Sequence, residues 1–318
     1  MSSIWSVAPP KSNRAKVKPG QSQSVAGLQA AHGGSIWASM IRSILLALDD
    51  TPGAVAARDL AFALARRTGA AVTAVIVLDR PHTIGQHEAI PMRGVAFATR
   101  HNTKLAEVLA AEADGVLAAA RDAAGGLAFE VVRREEDPEE ALLVEGTAHD
   151  LLITGRDSTL GREESEDGLS PTIEALLRDG ARALLVVPES PLHPDLEHGE
   201  DLQRKVLMAH DGSLASLRTI EVFALLGLVA GQSVKLFDFD PDSRPEALAR
   251  YLTQHGMRVK AFAMQGNAHD ILLAEARTLP AAMLVLGAME GGTLSRLIFG
   301  SATARLLRAS PYPVFIRG

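Results

Sequence analysis

Ten short apolar runs alternate with eight helical patterns along this chain, and the alternation is passed through twice. The first pass has apolar runs at 44–48, 71–78, 127–133, 151–154 and 183–187. Helical patterns lie between them at 54–67, 102–124, 138–147 and 172–178. The second pass has runs at 205–209, 233–239, 257–263, 282–286 and 314–316, with helical patterns at 214–228, 245–254, 267–277 and 302–308. Continuous apolar runs of this length read as strands buried on both faces. Strand–helix alternation places such strands in parallel sheets covered by helices. The fold class is therefore α/β, with two doubly wound parallel-sheet domains in tandem.

The two passes match residue by residue. Leu45 to Thr51 corresponds to Leu207 to Ser213, with Asp49 over Asp211. Leu151 to Gly155 corresponds to Met283 to Gly287, and Glu174 to Arg178 to Ala304 to Arg308. Asp49 and Gly155 are 106 positions apart, Asp211 and Gly287 only 76. The first pass thus carries about 30 extra residues. Most fall in 79–100, which holds Pro81, Gly85, Pro91 and Gly94 and reads as a long loop, and in the longer helix that follows. The terminal apolar runs, 183–187 and 313–317, are the expected contact of an intrachain pseudo-dimer.

The boundaries expected are an N-terminal extension at 1–39, a first domain at 40–188, a linker at 189–203 and a second domain at 204–318. The linker holds Pro191, Pro194, His193 and His198. Nothing fixes those histidines in a ligand geometry, so they read as a solvated loop. Residues 1–39 contain both tryptophans, Trp5 and Trp37, four basic residues and no acid. They read as a disordered tail, with a basic binding or targeting arm as the other reading. Met40 directly precedes the first strand, so a start at Met40 also stands open. No apolar h-region marks a secretory signal.

Net charge is −6, which disfavours nucleic acid as a partner, and no apolar run approaches a membrane span. The chain has no cysteine, so disulfides, thiolate metal sites and thiol nucleophiles are excluded. That usage fits a cytoplasmic protein. No Walker Gly-Lys-Ser and no nucleophile elbow occur. Ala-His-Asp appears at 148–150, 209–211 and 268–270. The three copies fall at different places in the repeat, which argues against a shared metal site, so no metal ligand is assigned.

The stretch 284–301 carries the chemistry. An apolar strand ends at Gly287, a loop with Gly291 and Gly292 follows, and Gly300-Ser301 opens a helix. Strand, glycine loop and helix start together cradle an anion, because unobstructed N–H groups and the positive end of a helix dipole converge there.

At these residues the chain resembles a tandem universal stress protein over about 41–318. The resemblance rests on Asp211-Gly212-Ser213, on Asp150 to Gly155 and its partner 282–287, and on the terminal 300–316. ATP-binding members of that family carry Gly, two residues, Gly, nine residues, Gly, then Ser or Thr. Gly287 and Gly300 have the required separation of 13, Ser301 follows, and Leu294 and Phe299 fit the family's apolar positions. The middle glycine would fall at 290, where this chain has Glu290. A carboxylate there would repel phosphate by about 1–4 kcal/mol at ~4 Å. Three readings follow: use of Gly291 or Gly292 with Glu290 turned outward, Glu290 holding Mg²⁺ between phosphates, or a decayed site.

The resemblance implies an adenine nucleotide alpha-hydrolase-like fold and ATP, with or without Mg²⁺, as the ligand of the second domain. Asp211 would lie near the nucleoside and Ala209 and Phe239 would wall the base. Gly287 would approach ribose and phosphates, while Gly300, Ser301 and Ala302 would donate to phosphate oxygens. It also implies a stress-response regulator or sensor without catalytic residues, acting through an unidentified protein partner, with a homodimer as a further possibility. Two alternatives are an interaction module without a nucleotide and a slow ATP hydrolase. Arg296 is the one cation in the 287–301 loop, which weakens the hydrolase reading. The first domain has Ser170-Pro171 where the second has Gly300-Ser301, behind Glu163, Glu164, Glu166 and Asp167. Four acids and a missing donor predict no triphosphate binding there.

Overall fold

The computed structural model describes residues 40–78, 95–160, 169–190, 205–228, 232–242, 244–279, 281–287 and 301–317, without the side chains of 95–106, 301 and 302. The predicted extension at 1–39, most of the linker and the 288–300 loop with Glu290 and Gly300 lie outside the described residues.

The first half runs β1 (Ser43–Ala47), α1 (Pro52–Thr68), β2 (Ala71–Val77), α2 (Val95–Ala124), β3 (Phe129–Arg134), α3 (Pro138–Gly146), β4 (Leu151–Gly155), α4 (Pro171–Asp179) and β5 (Ala183–Val187). The second runs β6 (Lys205–His210), α5 (Leu214–Leu226), β7 (Ser233–Asp238), α6 (Pro245–Gln254), β8 (Arg258–Ala263), α7 (Ala268–Thr278), β9 (Ala281–Gly287), α8 (Ser301–Ala309) and β10 (Val314–Arg317). Helix α2 starts at Val95, so the predicted loop over 79–100 is corrected for its last six residues. Val95 to Arg100 contains no Gly or Pro, and the helix extends back to the residue after Gly94.

Local signals set the helix ends. Thr51 Oγ1 accepts from the Ala54 N–H at 3.2 Å and Pro52 opens α1, while Gly69 ends it at φ 75°. Asp137, Ser170, Ser213 and Asn267 cap α3, α4, α5 and α7 in the same way.

The strands form one sheet in the order β3-β2-β1-β4-β5-β10-β9-β6-β7-β8. Neighbours within each half are parallel. The halves join through the antiparallel pair β5–β10, with Val314 opposite Val186, Phe315 opposite Leu185 and Ile316 opposite Leu184. The two predicted sheets are thus one, continuous through the two terminal apolar strands, where a single antiparallel ladder satisfies both edges. Alternate side chains feed two cores. Ile44, Leu46, Met208, Phe223 and Phe315 lie on the α1/α5 face. Leu45, Leu207, Leu176, Leu177, Leu306 and Leu307 lie on the other.

In each half the direction of strand addition reverses between β1 and β4, or between β6 and β9. Open parallel sheets leave a crevice beyond the strand carboxyl ends at such a reversal. The glycines that end β4 and β9 let the start of α1 or α5 pack directly against the strand end. A Cβ on Gly155 would lie 2.4 Å from the Ala54 backbone N, and one on Gly287 2.4 Å from the Ser216 backbone.

Candidate binding site in the second half

Beyond the carboxyl ends of β6 and β9 lies a small recess, with about 10 Å³ of room, lined by Ala209, Asp211, Ser216, Ala268, His269, Leu272, Leu286 and Gly287. Strand β6 delivers Ala209 and, just past its end, Asp211. Gly212 then turns the chain at φ 83°, a conformation that favours glycine. Ser213 and Ser216 follow at the start of α5. Helix α7 supplies Ala268, His269 and Leu272 from the opposite wall.

Asp211 is held by the turn it opens. Its Oδ1 accepts from the Ser213 N–H at 3.0 Å and from the Ser213 hydroxyl at 2.6 Å. Its own N–H donates to Ser216 Oγ at 3.4 Å, and Ser213 Oγ accepts from the Ser216 N–H at 3.0 Å. Burial pushes the carboxyl up, but the hydrogen bonds from Ser213 and Ser216 outweigh it and hold the group below its usual range. Asp211 is therefore ionised at neutral pH.

His269 is almost fully buried. Its Nε2 lies 3.1 Å from Thr303 Oγ1 in the first turn of α8. Its Nδ1 is buried without a hydrogen-bond partner among the described residues. An orphaned buried polar atom of this kind costs about 1–3 kcal/mol. Burial depresses the imidazole pKa; the Asp211 and Asp270 carboxylates oppose that and Arg305 adds to it, so the ring is neutral near pH 7.

The predicted site residues divide as follows. Ala209, Asp211 and Gly287 line the recess together. Phe239 follows β7, is half-buried and packs on the same core, but lies outside the recess lining. Ser301 and Ala302 form the amino end of α8, two residues or fewer from Thr303. Gly300 lies outside the described residues. His269, Ser216 and Leu286 were not anticipated as site residues. His269 belongs to one of the Ala-His-Asp triplets, and the fold brings two of those three triplets, 209–211 and 268–270, to the same recess. No group of three or more metal-ligating side chains is found among the described residues.

The first half closes the equivalent place. Asp49 Oδ1 accepts from the Thr51 N–H at 3.1 Å, the Thr51 hydroxyl at 2.6 Å and the Ser158 hydroxyl at 3.3 Å. Its Oδ2 accepts from the Leu160 N–H at 3.0 Å. Leu160, held at φ 54°, and Leu169 are buried in the same core as Leu142 and Ala47. Asp157 sets a carboxylate on the amino end of α1, accepting from the Gly53 N–H at 3.1 Å. Ser170 caps α4 by accepting from the Thr172 N–H at 3.2 Å, and Pro171 occupies its first turn. The acidic stretch at 163–167 lies outside the described residues.

Comparison with known proteins places both halves in one family. The sequence model of the universal stress protein family matches residues 40–188 and 209–316. A universal stress protein from Archaeoglobus fulgidus DSM 4304 is similar in structure at 18% identity and a TM-score of 0.58, covering 86% of this chain and 95% of that one. A functionally unknown protein from Pseudomonas aeruginosa PAO1 aligns at 15% identity and a TM-score of 0.51, over 87% of this chain and 92% of its own. A universal stress protein in complex with cAMP aligns over 36% of this chain and 95% of its own, at 23% identity and a TM-score of 0.28. No curated protein matches the sequence.

Proposed function

The chain belongs to the universal stress protein family, and on that premise we propose that its second half binds an adenine nucleotide, ATP, and that the protein acts as a cytoplasmic regulator or sensor. One observation supports this reading: Ala209, Asp211 and Gly287 line one recess at the strand reversal of the second half, whereas in the first half both oxygens of Asp49 are engaged by Thr51, Ser158 and Leu160. In this reading Ala209 and Phe239 wall the base, Asp211 and Gly287 meet the nucleoside, and the amino end of α8 with Gly300, Ser301 and Ala302 receives the phosphates. Helix α8 runs nine residues, enough for its dipole to act on an anion at that end.

Binding rather than turnover is favoured, because among the described residues no lysine or arginine lines the recess to neutralise developing charge. The first half contributes scaffold and no second nucleotide. Calorimetric titration of the full chain with ATP, with and without Mg²⁺, tests the reading. Saturation at one site per chain, lost on Ala209→Trp, supports it; absence of heat at millimolar ATP rejects it.

A further inference from the structure

The Ala-His-Asp triplet at 209–211 gives Ala209 and Asp211 to the recess, and its central residue turns to the other face of the sheet. His210 ends β6 directly opposite Asp238, which ends β7. Both are buried, at 8% and 2% exposure. His210 Nδ1 lies 3.1 Å from Asp238 Oδ1, and the same oxygen accepts from the Asp240 N–H at 3.1 Å. Since Oδ1 serves as an acceptor, Nδ1 carries the proton and donates it.

The fold does not require this pair. The equivalent cross-strand positions of the first half hold Leu48 and Ile76, both buried in the α1/α5-face core. Burying a polar or ionic pair carries a desolvation cost that apolar residues of similar volume avoid, so an apolar replacement is often neutral or stabilising. The halves differ in what stands beside these positions. In the first half Asp49 is engaged through both oxygens, and in the second Asp211 lines a recess. The polar pair joins the two turns that carry Asp211 and Phe239. Asp211 follows His210, Phe239 follows Asp238, and the Phe239 N–H donates to the His210 carbonyl at 2.8 Å. Asp240, held on Asp238, packs against Gly212, where a Cβ would lie 3.2 Å from the Asp240 side chain. Asp238 therefore reaches both flanks of the turn that presents Asp211, through His210 on one side and Asp240 on the other.

We propose that His210 and Asp238 are positioning residues of the second-half site. Their buried pair sets the turns after β6 and β7, and with them Asp211 and the base wall at Phe239, and it serves ligand binding rather than the stability of the fold. This role rests on the nucleotide-binding reading above.

The test gives the second half the residues that the first half uses. Calorimetric titration with ATP and urea unfolding are run on the full chain, as the native protein, as the double variant His210→Leu with Asp238→Ile, and as His210→Asn. The double variant unfolds at the native urea midpoint or above it. It binds ATP about tenfold more weakly, the factor that about 1.4 kcal/mol of lost contact supplies. His210→Asn can place an amide N–H near the position of Nδ1, keeps the bond to Asp238 and retains most of the affinity. A stable double variant with native affinity overturns the proposal. So does a double variant of lowered midpoint, because the pair then serves the fold, and so does His210→Asn binding as weakly as the double variant. Each of these results leaves nucleotide binding itself intact. Failure of the native protein to bind ATP overturns the binding reading and the positioning role with it.

Discussion

The Leu160 N–H donates to Asp49 Oδ2 at 3.0 Å, while the counterpart Asp211 is held through Oδ1 by Ser213 and lines a recess. The two aspartates occupy the same place in the repeat and have been put to opposite uses. Asp49 ties the segment after β4 to the segment after β1, and Asp211 faces a recess.

That difference predicts opposite consequences for one substitution. Asp49→Asn replaces one acceptor oxygen with a donor where Thr51, Ser158 and Leu160 all donate, and weakens charge-assisted bonds. It should destabilise the fold by about 1–3 kcal/mol. Asp211→Asn disturbs only the Ser213–Ser216 turn and should cost less than half as much. Urea unfolding of both variants measures this, and equal losses would refute the division of roles.

Stability should fall in two steps as pH is lowered. The His269 and His149 rings are held below their ordinary value in the folded chain, burial being the largest cause for each. Below about pH 6.5 the unfolded chain takes up protons that the folded chain refuses. Stability is then lost down to the folded pKa values and is flat beneath them. The folded Asp211 carboxyl is also depressed, so its contribution is full above the unfolded value near pH 4 and is lost as pH falls through the folded one. Urea midpoints from pH 8 to pH 3 test this: His269→Leu should flatten part of the upper step and Asp211→Asn the lower one.

Much of this was legible in the residues and some was not. Each β-strand overlaps an apolar run; in the eight inner strands burial on both faces leaves few polar positions to disguise the pattern, while the edge strands β3 and β8 are only partly buried and carry Glu130, Arg258 and Lys260. The pairing of Asp49 with Asp211 and of Gly155 with Gly287 was legible because both sit at fixed steps from those runs. The plug over Asp49 was not, since the Leu160 N–H is a backbone group and carries no side-chain signature. His269 was missed for a related reason. Its triplet lies at a helix start and that of Asp211 at a strand end, so linear position separates residues that the sheet reversal brings together. The acids near 163–167 did point to a closed first half, but the donors that close it are Ser158 and Leu160.

Arg156 predicts coupling across the joined sheet. Its Nη1 donates to the carbonyl of Arg308 in the last turn of α8 at 2.8 Å and to that of Ser310, the residue after the helix, at 2.9 Å. A cation there complements the helix dipole and satisfies oxygens left over by the last turn. The counterpart of Arg156 in the second half is Ala288, so the contact runs one way. Arg156→Met keeps the apolar stem and removes both bonds. We expect a loss of about 1–2 kcal/mol for this half-buried group. Hydrogen exchange should show the loss concentrated at 306–310, and uniform exchange across the chain would argue against a local cap.

Glycine substitutions should separate by position. Gly155→Ala and Gly287→Ala each place a methyl group 2.4 Å from backbone atoms of the facing helix, α1 or α5. Backbone does not rotate aside, so the strand end and the helix must part, at about 1–3 kcal/mol or more. Gly115 lies exposed inside α2, with open space where a Cβ would stand and no positive φ. Gly115→Ala should stabilise the protein by up to about 1 kcal/mol, because alanine loses less conformational entropy in a helix. Thermal unfolding of the three variants decides the matter. A rise in midpoint for Gly115→Ala beside a fall for the other two is the expected pattern, and tolerance of Gly287→Ala would mean that β9 and α5 are not held as close as 2.4 Å implies.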